Sequence, residues 1–203
     1  PPNLLTINGS PRHVVLQIKE GERANLTCSV ENSKPPSRLK WYRNRVELIP
    51  DAAETSIREE KGKLVTVLST LTLYPKIDDD QATYICEADH SALSNPLTSS
   101  VTISVLYPPG KPVITGYREG HVLVKGERLS LLCTSKGGNP PAILMWFRSG
   151  ERLDTSYVTR SRKTVSILRF RVTAADNKAE YRCEAKSPLV NRSSSEFVTL
   201  SVH

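Results

Sequence analysis

Cys133-Thr-Ser-Lys-Gly-Gly-Asn-Pro-Pro-Ala-Ile-Leu-Met-Trp146 sets a tryptophan thirteen residues after a cysteine, and the stretch from Cys28 to Trp41 repeats that interval. Each tryptophan is followed by a second cysteine with a tyrosine two places before it, as Tyr84-Ile85-Cys86 and as Tyr181-Arg182-Cys183. Gly-Glu-Arg begins seven residues before the first cysteine of each set, at Gly21 and at Gly126. The glycine, first cysteine and tryptophan recur at an offset of 105, which falls to 97 at the second cysteine. The chain therefore carries an internal repeat whose second copy is shorter between the tryptophan and the last cysteine.

This order of residues is that of an immunoglobulin sandwich. There the two cysteines lie on strands B and F and join the sheets, and the strand C indole packs on the bridge. The spacing predicts disulfides Cys28–Cys86 and Cys133–Cys183, with Trp41, Tyr84, Trp146 and Tyr181 in the cores. Strand periodicity agrees. Val65, Val67, Leu71 and Leu73 share one parity against Thr66, Thr70 and Thr72, while Leu168, Phe170 and Val172 alternate with Arg169 and Arg171. Val101, Ile103 and Val105 mark the last strand of the first copy, and Val198, Leu200 and Val202 that of the second. The fold class read from this is all-β, two tandem immunoglobulin-like sandwiches of the I-set or C2 type over residues 1–106 and 107–203. They are joined by a short Pro-rich linker. Pro108, Pro109 and Pro112 fix φ, so a stiff connector is expected.

Four cysteines used in two intradomain pairs imply an oxidising, extracellular setting. Partners 58 and 50 residues apart, without a CxxC, lack the spacing of a zinc site. Three N-glycosylation sequons fit that setting: Asn25-Leu-Thr27, Asn191-Arg-Ser193 and Asn8-Gly-Ser10, the last weakened by Pro11 behind it. Asn25 is an odd number of residues before Cys28 and should face solvent; Asn191 falls in the F–G turn of the second domain. No apolar run approaches the ~18 residues a membrane span needs. The ends lie at domain edges, and the expectation is a piece of a longer ectodomain attached to a membrane only through segments outside this chain.

Charge is shared unevenly. Residues 1–106 hold 12 Lys and Arg against 13 Asp and Glu, net −1, and residues 107–203 hold 16 against 8, net +8. Arg160, Arg162 and Lys163 gather before strand E of the second domain, and Arg169 and Arg171 project from it. They form a candidate patch for an acidic ligand such as a sulfated glycan. No nucleic-acid motif accompanies the charge, so nucleic acid is not an expected partner. The second strand C reads Ile143-Leu-Met-Trp-Phe-Arg148; Met145 and Phe147 should face outward beside Arg182, a candidate protein-binding face. An enzyme is not expected. His13, His90, His121 and His203 are scattered, and neither HExxH nor GxSxG occurs. Asp78-Asp79-Asp80 reads as a polar E–F turn rather than a calcium site, which needs six or more oxygens. No cofactor or metal is expected.

A more specific likeness lies at the domain boundary. Tyr84-Ile-Cys-Glu-Ala-Asp-His-Ser-Ala-Leu-Ser-Asn-Pro-Leu97, Val101-Thr-Ile-Ser-Val-Leu-Tyr-Pro-Pro-Gly-Lys-Pro-Val-Ile114, Glu119-Gly-His-Val122 and Lys136-Gly-Gly-Asn-Pro-Pro-Ala142 resemble a junction between interior immunoglobulin domains of the nephrin family, with invertebrate members such as Hibris and Sticks-and-stones. The resemblance implies part of the ectodomain of a single-pass adhesion receptor at cell–cell contacts. Its partner would be a Neph/Irregular-type immunoglobulin receptor, bound through the CFG faces of outermost domains, with interior domains as spacers. In such sandwiches an acidic residue four before the strand F tyrosine is usual. It is Asp80 here and Asn177 in the second copy. A buried arginine–aspartate pair is thus expected only in the first domain, through Arg58.

Overall fold

The computed structural model describes residues 1–60, 62 and 64–203. They form two units, Pro1–Leu106 and Tyr107–His203.

The first unit contains β1 (Leu5–Ile7), β2 (Val14–Lys19), β3 (Ala24–Ser33), β4 (Arg38–Arg43), β5 (Val46–Glu47), β6 (Ala53–Glu59), β7 (Val65–Leu73), β8 (Thr83–Asp89) and β9 (Leu97–Leu106). One sheet runs β1-β3-β7-β6 and the other β2-β9-β8-β4-β5. The N-terminal strand changes sheets. β1 pairs antiparallel with β3, and after the turn at Asn8 and Gly9, both at positive φ, β2 runs parallel to β9. The alternation in β3 shows why these residues make a sandwich: Leu26, Cys28 and Val30 are fully buried, while Asn25 is exposed between them and the turn.

The second unit contains β10 (Val113–Thr115), β11 (Val122–Leu123), β12 (Arg128–Lys136), β13 (Ile143–Arg148), β14 (Glu151–Arg152), β15 (Val158–Arg160), β16 (Lys163–Arg171), β17 (Glu180–Lys186), β18 (Ser194–Thr199) and β19 (Ser201–Val202). Its sheets are β10-β12-β16-β15 and β14-β13-β17-β18, with β11 parallel to β19. The hairpin joining β15 to β16 turns on Ser161 and Arg162, both at positive φ as a tight two-residue turn demands.

Both disulfides are present, each with its Cα atoms 6.4 Å apart. Trp41 sits opposite Cys86 and Trp146 opposite Cys183 in register, so each indole covers its bridge. The two cores differ in one hydrogen bond. Trp41 Nε1 donates to Ser69 Oγ at 2.9 Å, and Ser69 stands across from Cys28. Ser166 holds the same place across from Cys133, but its hydroxyl donates to the Ser156 carbonyl. Trp146 Nε1 is left buried without a partner among the described residues. A buried unpaired donor costs about 1–3 kcal/mol. Trp41→Phe should therefore destabilise its domain by about 1–2 kcal/mol more than Trp146→Phe destabilises the other. Hydrogen exchange on β3 and β12 in the two variants reads this directly, and equal losses would contradict it.

The proline-rich stretch is built into the second sandwich. Tyr107 exchanges backbone hydrogen bonds with Asn139, Gly110 N donates to Lys136 O, and Ser135 Oγ donates to Gly110 O. Gly138 is required here: at φ +91° its Cα faces Pro109, and a Cβ would lie 2.7 Å from that ring's Cβ. In the first unit the last strand stays paired to its end, with Glu20 N donating to Leu106 O.

Candidate functional site

At the base of each sandwich an arginine, an aspartate and a tyrosine meet. Arg148, two residues after Trp146, donates to Asp176 Oδ1 and to the Tyr181 hydroxyl, both at 3.2 Å, and to the Ala175 carbonyl at 2.9 Å. Tyr181 donates to the same Asp176 oxygen at 2.8 Å, while Oδ2 accepts from the Thr173 backbone N–H. Burial favours a protonated Asp176, but the Thr173 N–H, the Tyr181 hydroxyl and the Arg148 guanidinium outweigh it and hold the carboxyl below its ordinary range. Burial, followed by the bond to Asp176, pushes the Tyr181 phenol up to about 12. Phe170 stacks on Tyr181 with centroids 4.9 Å apart, which fixes the ring. In the first domain Arg43 Nη2 donates to Asp79 Oδ1 at 2.8 Å, and Asp79 Oδ2 accepts from Lys76 N. The neighbouring Tyr84 phenol, ahead of Asp79, raises the Arg43 guanidinium.

These pairs correct the sequence expectation. The arginine's partner lies five residues before the tyrosine, as Asp79 and Asp176, so both domains carry the pair. Arg58 is instead on β6, where it meets exposed Glu60 at 3.1 Å. The position four before the tyrosine holds the last strand of its domain. Asp80 Oδ1 accepts from Val105 N, and Asn177 Oδ1 from Val202 N. Such a bond needs only a side-chain carbonyl oxygen, which aspartate and asparagine both supply.

On the outer face of the second domain's β13–β17–β18 sheet, Phe147, Arg182 and Phe197 stand in one cross-strand row. The Arg182 guanidinium lies 4.1 Å from the Phe147 ring centroid and is tied to Glu184 at 2.8 Å and Ser195 at 3.2 Å. Met145 is in the next row, opposite Glu184. Phe197, at 56% exposure, completes the patch and is absent from the sequence expectation, although its parity against Val198 and Leu200 points it outward. The Arg182 charge is paired with the Glu184 carboxylate and lies over the Phe147 ring, so the row is a small apolar patch whose central charge is already met.

The candidate basic patch lies on the opposite sheet and is divided. Lys163 opens β16 and pairs with Arg160 of β15, Arg162 sits in the hairpin turn, and Arg169 and Arg171 lie at the far end of β16.

Known proteins share this architecture. Residues 6–96 match the family model of the CD80-like C2-set immunoglobulin domain, and residues 111–187 match that of the immunoglobulin domain. The chain belongs to the immunoglobulin superfamily. Human nephrin is 32% identical over the whole chain, and rat cell adhesion molecule 2 is 31% identical over 98% of it. The likeness to nephrin and to cell adhesion molecule 2 thus runs through both domains. The chain spans 16% of nephrin's length and 45% of cell adhesion molecule 2. Among solved structures, Rst D1-D2 superposes with a TM-score of 0.67 at 20% identity, covering 99% of this chain and all of the other, a likeness of fold.

Asn25 and Asn191 are exposed, on β3 and in the turn between β17 and β18. Asn8 is engaged on both sides of its amide, accepting from Thr27 N at 2.8 Å and donating to Asn25 O at 3.3 Å, which sets it against β3. Of the Asp78–Asp80 run, Asp79 and Asp80 hold backbone and arginine donors, and no group of His, Cys, Asp or Glu arranged for a metal ion occurs among the described residues. No described helix is long and apolar enough to cross a membrane.

Proposed function

We propose that these two domains are an extracellular part of a nephrin-type adhesion receptor that recognises a Neph/Irregular-type immunoglobulin receptor on an apposed cell. Within it they act as spacing and orienting elements, and the partner is read elsewhere in the ectodomain. The observation that carries this reading is the likeness to nephrin, which runs over the whole chain while the chain spans only 16% of that protein. Support for the spacer role comes from the outer faces. The Phe147–Arg182–Phe197 row is a small apolar patch, whereas a standard interface takes about 800 Å² per partner. Surface plasmon resonance of the two-domain chain against a Neph-type ectodomain tests the reading. Binding weaker than about 10 µM, or none, is expected. A sub-micromolar signal lost on changing Met145, Phe147 and Phe197 to serine would move recognition onto this face.

A further inference from the structure

The four-stranded sheet β10-β12-β16-β15 of the second domain has an outer face whose composition is unlike that of its counterpart in the first. Strand register places its outward side chains in rows. Lys136, Lys163 and Arg160 stand side by side at one end, and Arg128 and Arg171 face each other at the other, with Arg169 one row inward. Between them runs an apolar stripe of Val113, Val158 and Ile167, 55%, 53% and 44% exposed, with Leu132 and Val165 half-buried beneath. None of the outward positions on these strands is a carboxylate, and none of the cations forms an ion pair among the described residues. Like charges directly opposite on neighbouring strands destabilise a sheet. Two such sets on one face, uncompensated, therefore call for an anion from outside.

Among the described residues, the corresponding face of the first domain bears no such array. Its β3 and β7 present Asn25, Thr27, Thr70 and Thr72, with the sequon at Asn25 in the middle. Counted back from the cysteine, Ser130 occupies Asn25's place in the second domain, between Arg128 and Leu132. The basic face thus lacks the counterpart of the first domain's Asn25 sequon.

We propose that this face binds a sulfated glycan chain lying along β16, with its sulfates on both cationic bands and the C–H faces of its sugar rings over the Val–Ile stripe. Geometry favours a linear polyanion. Lys163 and Arg169 are about 20 Å apart along the strand at ~3.3 Å per residue, a span that a repeating charged chain bridges while engaging both ends. Engaging both bands at once multiplies their separate affinities. The inference is independent of the Neph-type partner and does not fall with it.

The test is binding of the two-domain chain to immobilised heparin at 0.15 M salt, with three variants. One replaces Lys136, Arg160 and Lys163 by alanine, and one replaces Arg128, Arg169 and Arg171. The third replaces Arg23, Lys34 and Arg45 in the first domain, removing equal charge elsewhere. Each band variant should lose more than about tenfold in affinity, the control should stay within about twofold, and binding should weaken steeply with added salt. Restoring each band as lysine should recover most of the loss, which separates charge from misfolding. The idea is overturned if heparin does not bind, or if the control loses as much as the bands. It is equally overturned if unsulfated heparosan, poly-glutamate or phosphatidylserine vesicles bind as well as heparin does.

Discussion

Asp176→Asn is expected to cost the second sandwich about 2–4 kcal/mol, the scale of breaking a buried charged hydrogen-bond cluster. Asp176 has only 6% of its side chain exposed and accepts from Arg148, Tyr181 and the Thr173 backbone at once. An amide at this site offers one oxygen where the carboxylate offers two, and it turns an NH2 toward one of the existing donors. Arg148 keeps 35% exposure, so water recovers part of its charge and the loss stays below that of a fully buried pair. Asp79→Asn should be milder, about 1 kcal/mol, because Asp79 is 28% exposed. The pH dependence has a fixed sign. Asp176 is depressed in the folded state, so its contribution is fully present above the unfolded value of about 3.9 and is lost as pH falls through the lower folded value. Urea unfolding followed by exchange on β17 should show a wild-type advantage over Asp176→Asn that is constant near neutrality and shrinks below about pH 4. An advantage independent of pH down to about 2 would show that the carboxylate is not what holds the corner.

Removing either disulfide by paired Cys→Ala substitution should be as severe. Cys28–Cys86 closes a separation of 58 residues and Cys133–Cys183 one of 50. Loop-closure entropy then assigns each about 4 kcal/mol. Both sulfur pairs are also fully buried beneath tryptophan, so alanine leaves a void in addition. Since a domain of this size has a net stability of only about 5–15 kcal/mol, either loss leaves its sandwich marginal at 37 °C. Limited proteolysis should cut the altered domain and spare the other. Resistance of both domains would contradict the estimate.

The disulfides, tryptophans and strand order are legible in the sequence because the constraint on them is local spacing. The first cysteine and its indole, and the strand F tyrosine and its cysteine, recur at fixed counts, and the repeat displays both twice. Spacing misleads at the corner for the same reason: counting four back from the tyrosine reaches Asp80 and Asn177, which serve the last strand, while the arginine's partner is one step further away. Comparison of the copies points to it, since Trp41-Tyr42-Arg43 and Trp146-Phe147-Arg148 match, as do Asp79 and Asp176. The basic face cannot be read in that way. Arg128 and Lys136 are far from Arg171 and Lys163 in sequence, and only the antiparallel register of β12 with β16 makes them neighbours. Charge counting along the chain finds one cluster where the sheet makes two bands. It also includes Arg162, which the hairpin turns out of the row.

The claim that these domains space and orient, rather than read, is tested most directly by adhesion between cells bearing the whole receptor and cells bearing a Neph-type partner. Residues 1–203 would be replaced in the receptor by two immunoglobulin domains of unrelated surface and equal length. The account predicts that adhesion survives the replacement and falls when the two domains are deleted. Adhesion abolished by the replacement as completely as by the deletion would contradict it, and would place recognition on the surfaces described above.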